Sequence, residues 1–272
     1  MCLFRLDGRY LYLFSAMELI SKSGNAVMID SLKDDEKVLV SVVFPAYNEV
    51  QYLQEAVEKT SQTLGQFTNS YEIIIAEDGS TDGTPEKSEE LAKKYQFVRH
   101  IHGEERLGRG GALNGAFRQS RGEVLIDMDL DLATDLKYLK PLVETVTVEG
   151  YDFVTGSRLM SESKVKRAFR RSLSSKSYNF LVRHVLGSKL HDHQCGFKAF
   201  KREPALAILD KVKARHWFWD TEILVRGQRE GYRIKEIPVE WKSGDHTKVH
   251  LFKDSCGLGL QVFKFWWQHR RE

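Results

Sequence analysis

From Val38 the chain reads VLVSVVFPAYNE, a β-branched and apolar run that ends at Pro45. It does not alternate with polar residues as a strand with one wet face would, so it must be covered on both sides. The same grammar then repeats. An amphipathic stretch near 50–64 precedes a second apolar run, YEIIIAEDGS from Tyr71, and a helical pattern near 84–95 precedes FVRHIH at 97–102. A Gly-rich turn opens a helix over 108–119, GEVLIDMD follows at 122–129, and a helix near 136–148 leads to YDFVTGSR at 151–158. Buried strands alternating with helices dictate right-handed crossovers and a mostly parallel central sheet with helices on both faces, an α/β, Rossmann-like fold.

Such a sheet gathers ligands beyond the carboxyl ends of its strands. PAYNE (45–49), EDGSTDGT (77–84) and DMDLD (127–131) all fall there. The last of them crowds Asp127, Asp129, Asp131 and Asp135 behind the apolar run 124–126. Carboxylates this close repel one another and call for a cation. Mg²⁺ or Mn²⁺ takes such hard oxygen ligands and keeps positions open for phosphate oxygens, whereas a solvated acidic turn or helix cap needs no ion at all. Glu77 and Asp78 are placed to hydrogen-bond a base or ribose, or simply to close a tight turn at Gly79 and Gly83. In GRGGALNG (108–115), backbone N–H groups and Arg109 at a helix start could face a phosphate, although the dinucleotide and P-loop patterns are absent.

The remaining segments differ in character. Residues 1–37 read as an N-terminal extension, 38–249 as the α/β domain and 250–272 as an amphipathic aromatic and basic tail. The apolar patch YLYLFSAMELI (10–20) is too short to span a membrane. Cys2, Cys195 and Cys256 are dispersed, which favours reduced thiols, and His191 and His193 beside Cys195 lack the second ligand pair of a zinc site. A net charge of +3 says little, but residues 163–191 hold eight Lys or Arg and no acid. Arg167, Arg170, Arg171 and Lys176, interleaved with Phe169, Leu173, Tyr178, Phe180 and Leu181, suit a lipid phosphate at an anionic membrane surface, or else form a solvated face. Phe263, Phe265, Trp266 and Trp267 with Lys264, Arg270 and Arg271 suit an interfacial anchor, or packing on the domain or on a twin subunit in a homodimer.

Taken in order, PAYNE, EDGSTDGT, RLGRGGALNGA and DMDLD resemble the inverting glycosyltransferase family 2, with its GT-A fold, over residues 40–158. GSR (156–158), HDHQCGFKAF (191–200), WFWDTEIL (217–224) and GDHTKV (244–249) resemble the members that glycosylate polyprenyl phosphates, and QCGFK with WD.E is closer to the dolichyl-phosphate β-glucosyltransferases than to the mannose synthases. The resemblance implies a hexose moved from UDP-glucose, or alternatively GDP-mannose, to a dolichyl or polyprenyl phosphate, by a peripheral enzyme on the cytoplasmic face of a membrane. It places Pro45, Tyr47 and Glu49 beside the nucleoside and Glu77 or Asp78 on the base or ribose. Asp127, Met128 and Asp129 match the family's DxD motif, with Asp127, Asp129 and Asp131 on the metal. Arg109 and Lys248 fall to the diphosphate, Arg158, Arg171 and Ser175 to the acceptor phosphate.

Asp129, Arg158 and Asp220 are the candidate catalytic residues. An acceptor phosphate is already ionised near neutral pH and needs no strong base, whereas a hydroxyl acceptor would make Asp220 indispensable. Glu77 departs from the Asp usual in relatives, which bears on nucleotide preference. A nucleotide-binding regulator without turnover would bind UDP or GDP and tolerate loss of Arg158. No nucleic-acid partner is expected, since a nucleic-acid binder would be indifferent to Asp127 and Asp129.

Overall fold

The structure, a computed structural model, describes residues 37–166, 169–242 and 251–270, without side chains for 169–171 and 251–256. The expectations placed on the N-terminal extension, on Lys248 and on the side chains of Arg167, Arg170, Arg171 and Arg271 lie outside these residues.

The strands are β1 (Val40–Ala46), β2 (Tyr71–Asp78), β3 (Val98–Gly103), β4 (Val124–Met128), β5 (Phe153–Ser157), β6 (Lys164–Lys166), β7 (Phe197–Lys201), β8 (Ile234–Pro238) and β9 (Glu240–Lys242). The helices are α1 (Val50–Leu64), α2 (Thr84–Lys94), α3 (Arg109–Gln119), α4 (Leu139–Thr147), α5 (Phe169–Leu186), α6 (Arg202–Leu209), α7 (Trp219–Arg229) and α8 (Leu251–His269). Seven strands form one sheet in the order β3-β2-β1-β4-β7-β5-β8. All run parallel except β7, which pairs antiparallel with both β4 and β5. β6 and β9 make a separate parallel pair.

The two-sided burial expected of β1 follows from its pleat. Val42 and Phe44 point to one core with Ile73, Ile75 and Ile126, covered by Leu53 and Val57 of α1 and by Leu142 of α4. Val43 points to the other with Ile74 and Leu125, covered by Leu113 and Phe117 of α3 and by Trp219 and Ile223 of α7. Each fully buried side chain of this size is worth about 1.5–3 kcal/mol, so a polar residue inside either run would be costly without a partner. α5 and α8 form a third cluster, in which Val262 and Phe265 of α8 meet Tyr178, Val182, Phe218 and Val225. Because β1, β2, β4 and β5 are parallel, their carboxyl ends share one edge of the sheet.

Candidate active site

At that edge the loops after β1 and β2 are laced together. Asn48, at φ +52°, accepts from the Thr81 amide at 2.8 Å and gives its own amide to Ser80 Oγ at 3.0 Å. The Glu49 amide donates to Thr84 Oγ1 at 2.9 Å, and the Arg106 guanidinium lies 3.7 Å from the Tyr47 ring centre. The 47–49 loop and the 79–84 turn are therefore tied together, directly after Pro45 on β1.

Asp78 braces the neighbouring loop. Its two oxygens accept from the Leu107 and Gly108 amides at 2.7 and 2.8 Å, which fixes the turn into α3. Gly108 sits at φ +86°, and a Cβ there would run into His216 and the Arg215 carbonyl. The Gly110 and Gly111 amides both donate to Arg215 O, so these helix-start donors serve the fold rather than a phosphate. Glu77 accepts from the Ser80 amide and contacts His102 Nδ1, each at 2.5 Å.

The centre of the site is an arginine among acids. One terminal nitrogen of Arg109, Nη2, donates to both oxygens of Asp127 at 2.9 Å and to Asp129 Oδ1 at 3.0 Å, while Nη1 donates to Asp220 Oδ2 at 2.9 Å. Asp220, in the first turn of α7, also receives Lys198 Nζ on its other oxygen at 2.6 Å. Lys198 is fully buried on β7 and also donates to the Cys195 carbonyl. Burial works against the Arg109 charge, yet Asp127, Asp220 and Asp129 outweigh it and hold the group well above its ordinary range. Burial pushes the Asp127 carboxyl up to about 6, against the pull of Arg109.

Asp129 reaches its position because residue 196 is glycine. A Cβ on Gly196 would fall 1.9 Å from Asp129 Oδ2, and the Asp129 amide donates to the Gly196 carbonyl at 3.2 Å. Met128, Asp129, Asp131, Thr134 and Gly196 line a small cleft here. Asp131 accepts from the Ala133 amide at 3.0 Å within the turn.

Arg158, at the end of β5, is held by one acid. Its Nε and Nη2 donate to Asp192 at 2.7 and 2.9 Å, its amide donates at 3.0 Å, and its guanidinium lies 5.6 Å from the Trp241 ring. Burial alone would raise Asp192, but Arg158 and these hydrogen bonds hold it well below the carboxylate range. Glu236 accepts the Asp192 and His191 amides and so orients this pair. Ser175 stands on α5 with its Oγ buried and without a hydrogen-bond partner.

His193 is no zinc ligand: its ring nitrogens contact Asn179 Oδ1 and Ser188 Oγ, each at 2.7 Å, and burial holds it down to about 3. Burial also pushes the Cys195 thiol up to about 12, which leaves it inert. The fold therefore brings Arg109, Asp127, Asp129 and Asp220 into direct contact. It leaves Arg158 in a separate pair. Sequence reasoning missed Lys198 and Gly196. The signal for Lys198 was a lone lysine inside an apolar strand, FKAF, which demands an acid partner.

Hard carboxylate oxygens suit a divalent metal ion, although Arg109 and Lys198 already neutralise part of the acid there. Three acids, Asp127, Asp129 and Asp220, face two bases, Arg109 and Lys198, which leaves one negative charge in excess.

Residues 41–209, more than half of the chain, match Glycosyl transferase family 2. Glycosyltransferase AglD of Haloferax volcanii is 49% identical over 233 residues, covering 85% of this chain; the chain spans 37% of that protein's length. The dolichyl-phosphate beta-glucosyltransferase of Homo sapiens is 31% identical over 259 residues, covering 89% of this chain and 79% of its own. Glucosyl-3-phosphoglycerate synthase of Mycobacterium tuberculosis, solved with Mn²⁺, UDP and glucosyl-3-phosphoglycerate, superposes with a TM-score of 0.60 at 20% identity, covering 83% of this chain and 77% of its own, a likeness of fold. The sheet and its flanking helices are GT-A-like, and this chain belongs to glycosyl transferase family 2.

Proposed function

We propose that the chain is an inverting hexosyltransferase that moves glucose from UDP-glucose to a dolichyl or polyprenyl phosphate. The observation that carries the reading is the cluster of Asp127, Asp129 and Asp220 around Arg109 at the carboxyl edge of the sheet. Cation-binding carboxylates and a buried arginine meet there, where a diphosphate must depart. Relatives named dolichyl-phosphate beta-glucosyltransferase support the choice of sugar and acceptor.

In this reading an acceptor phosphate oxygen attacks the anomeric carbon as the bond to the nucleoside diphosphate breaks on the opposite face. Asp127 and Asp129, with Asp131 beside them, would hold Mg²⁺ or Mn²⁺, which when bound neutralises charge on the departing diphosphate. Arg109 adds fixed positive charge at the same place without reorganisation. Both Asp220 oxygens already face cations, Arg109 and Lys198. That makes Asp220 an orienting group for Arg109 rather than a proton acceptor, which suits an acceptor that arrives ionised. Arg158 turns Nε and Nη2 to Asp192, leaving the Nη1 edge for the acceptor phosphate, with Ser175 and Arg171 assigned to the same phosphate and Lys248 to the diphosphate.

No helix among the described residues is long and apolar enough to cross a membrane. The reading attaches the chain by the outer stripe of α5 and α8. Leu173 and Phe180 are exposed at a seven-residue spacing, and Leu260, Phe263 and Trp267 recur on the face of α8 opposite the buried Val262 and Phe265. The same reading puts the chain peripherally on the cytoplasmic face of a membrane.

The test is turnover: purified chain, Mg²⁺ or Mn²⁺, polyprenyl phosphate, and separately labelled UDP-glucose and GDP-mannose. Transfer of label to lipid from UDP-glucose, lost in Asp129→Ala, is the expected result. Label from GDP-mannose alone overturns the sugar, and no labelled lipid from either donor overturns the acceptor.

A further inference from the structure

The outer edge of the sheet, where β3 lies three positions from the β4 strand of Asp127, carries a second set of ligand-type side chains. His100 and His102 stand two apart on β3 and so share a face. The β2–β3 register pairs His100 with Ile75 and His102 with Glu77, which puts Glu77 on that same face. One ring nitrogen of each histidine and one Glu77 oxygen all lie within 4.8 Å of one another.

A hydrogen-bonded Glu77–His102 pair, with Ser80 N–H on the other Glu77 oxygen, would account for two of the three residues. It does not account for His100, whose Nε2 is buried without a hydrogen-bond partner. A polar atom left in that state costs about 1–3 kcal/mol, so such atoms ordinarily have a ligand or a partner.

We propose that Glu77, His100 and His102 bind a borderline transition-metal cation of the Zn²⁺ class through two imidazole nitrogens and one carboxylate oxygen. The donor set separates this site from the one at Asp127 and Asp129, because imidazole selects Zn²⁺-like ions whereas all-oxygen ligands suit Mg²⁺ and Mn²⁺. Metal–ligand bonds of about 2.0–2.2 Å put tetrahedral ligands about 3.4 Å apart, so the 2.5 Å contact between Glu77 and His102 must open by about 1 Å. His102 can move, since its side chain is half exposed. That open side leaves the fourth position to water, and the Ser80 amide orients the carboxylate as an outer partner of a metal ligand does. The ion would tie the edge strand β3 to the end of β2. It would also withdraw Glu77 from any nucleoside contact. The proposal does not depend on the transfer reaction.

The experiment uses the full chain, stripped with chelator and kept in excess Mg²⁺ so that the oxygen site is saturated. Zn²⁺ is titrated by calorimetry, and Co²⁺ replaces it for visible absorption. One Zn²⁺ per chain is expected, with intense tetrahedral Co²⁺ bands, unchanged by Asp129→Ala and weakened at least about 100-fold by His102→Ala. Equal Zn²⁺ binding by wild type and His102→Ala, or displacement of Zn²⁺ by Mg²⁺, would overturn it. The half-exposed position of His102 keeps that variant informative even if His100→Ala fails to fold.

Discussion

Two mostly buried arginines lie at the carboxyl edge of the same sheet, and they are held in opposite ways. Arg158 meets the single carboxylate of Asp192 with three donors, a closed pair with its charges in balance. Arg109 is shared among Asp127, Asp129 and Asp220, and even with Lys198 the acids outnumber the bases. Buried ion pairs add little net stability over apolar packing, so neither arrangement is explained by stability alone. The closed pair fixes Arg158 beside the 192–194 turn, whereas the open cluster keeps more acids than bases.

The largest effect should fall on the closed pair. Asp192→Ala strands a buried guanidinium and should cost about 3–5 kcal/mol, read as a lower urea midpoint at unchanged slope. A variant as stable as wild type would show that Arg158 can turn to solvent, and the contrast would collapse. Asp129→Ala should do the reverse. Its side chain is 44% exposed, so stability should hold while metal-dependent transfer falls about 10²–10³-fold.

Arg109→Met sharpens the same contrast at smaller cost. It leaves Asp127, Asp129 and Asp220 short of one counter-charge, about 1–3 kcal/mol without divalent ion. Adding Mn²⁺ should restore much of the lost melting temperature if the cluster reserves a cation place. No recovery would mean that Arg109 is structural, like Arg158.

The two acids should also part company with pH. Asp192 is held below its ordinary value, so its contribution is complete above about pH 4 and is lost as pH falls further. Asp127 is raised to about 6, so its contribution is present at low pH and is lost as pH rises through about 6. Stability should therefore gain from Asp127 between about pH 7 and pH 5 and lose from Asp192 below about pH 4. Asp127→Asn should flatten the first segment and leave the second.

The parallel half of the fold was legible because strands buried on both faces must be largely apolar, as 42–44 and 73–76 are, with the buried Ser41 and Glu72 hydrogen-bonded to each other. The direction of β7 was not, since FKAF carries no mark of antiparallel pairing and its place between β4 and β5 is fixed by tertiary packing. The DxD acids were legible as a local cluster. Their partner was not, because Arg109 lies 18 residues from Asp127 and 111 from Asp220, and charge complementarity at that separation exists only in the fold. Asp78 reads as a base or ribose contact or a turn residue, and its hydrogen bonds to amides 29 and 30 residues away are visible only in the fold. His100 and His102 alternate visibly, but only the strand register adds Glu77 to them.

The smallest predicted effect concerns the outer stripe of α8. Phe263 and Trp267 are 50% and 62% exposed, whereas Phe265 is buried against Phe218 at 6.0 Å between ring centres. Phe263→Ala and Trp267→Ala should each weaken binding to anionic vesicles by about 1 kcal/mol, or about fivefold, with unchanged melting, because the exposed ring area enters the interface only when the membrane is present. Phe265→Ala should instead lower stability by about 3 kcal/mol or more and impair vesicle binding only through unfolding. Added salt should weaken binding further, since Lys264 and Arg270 act through screened attraction to the headgroups. Equal vesicle binding by all three variants would leave α8 as a structural brace for α5, and the attachment would then fall to α5 or to residues outside both helices.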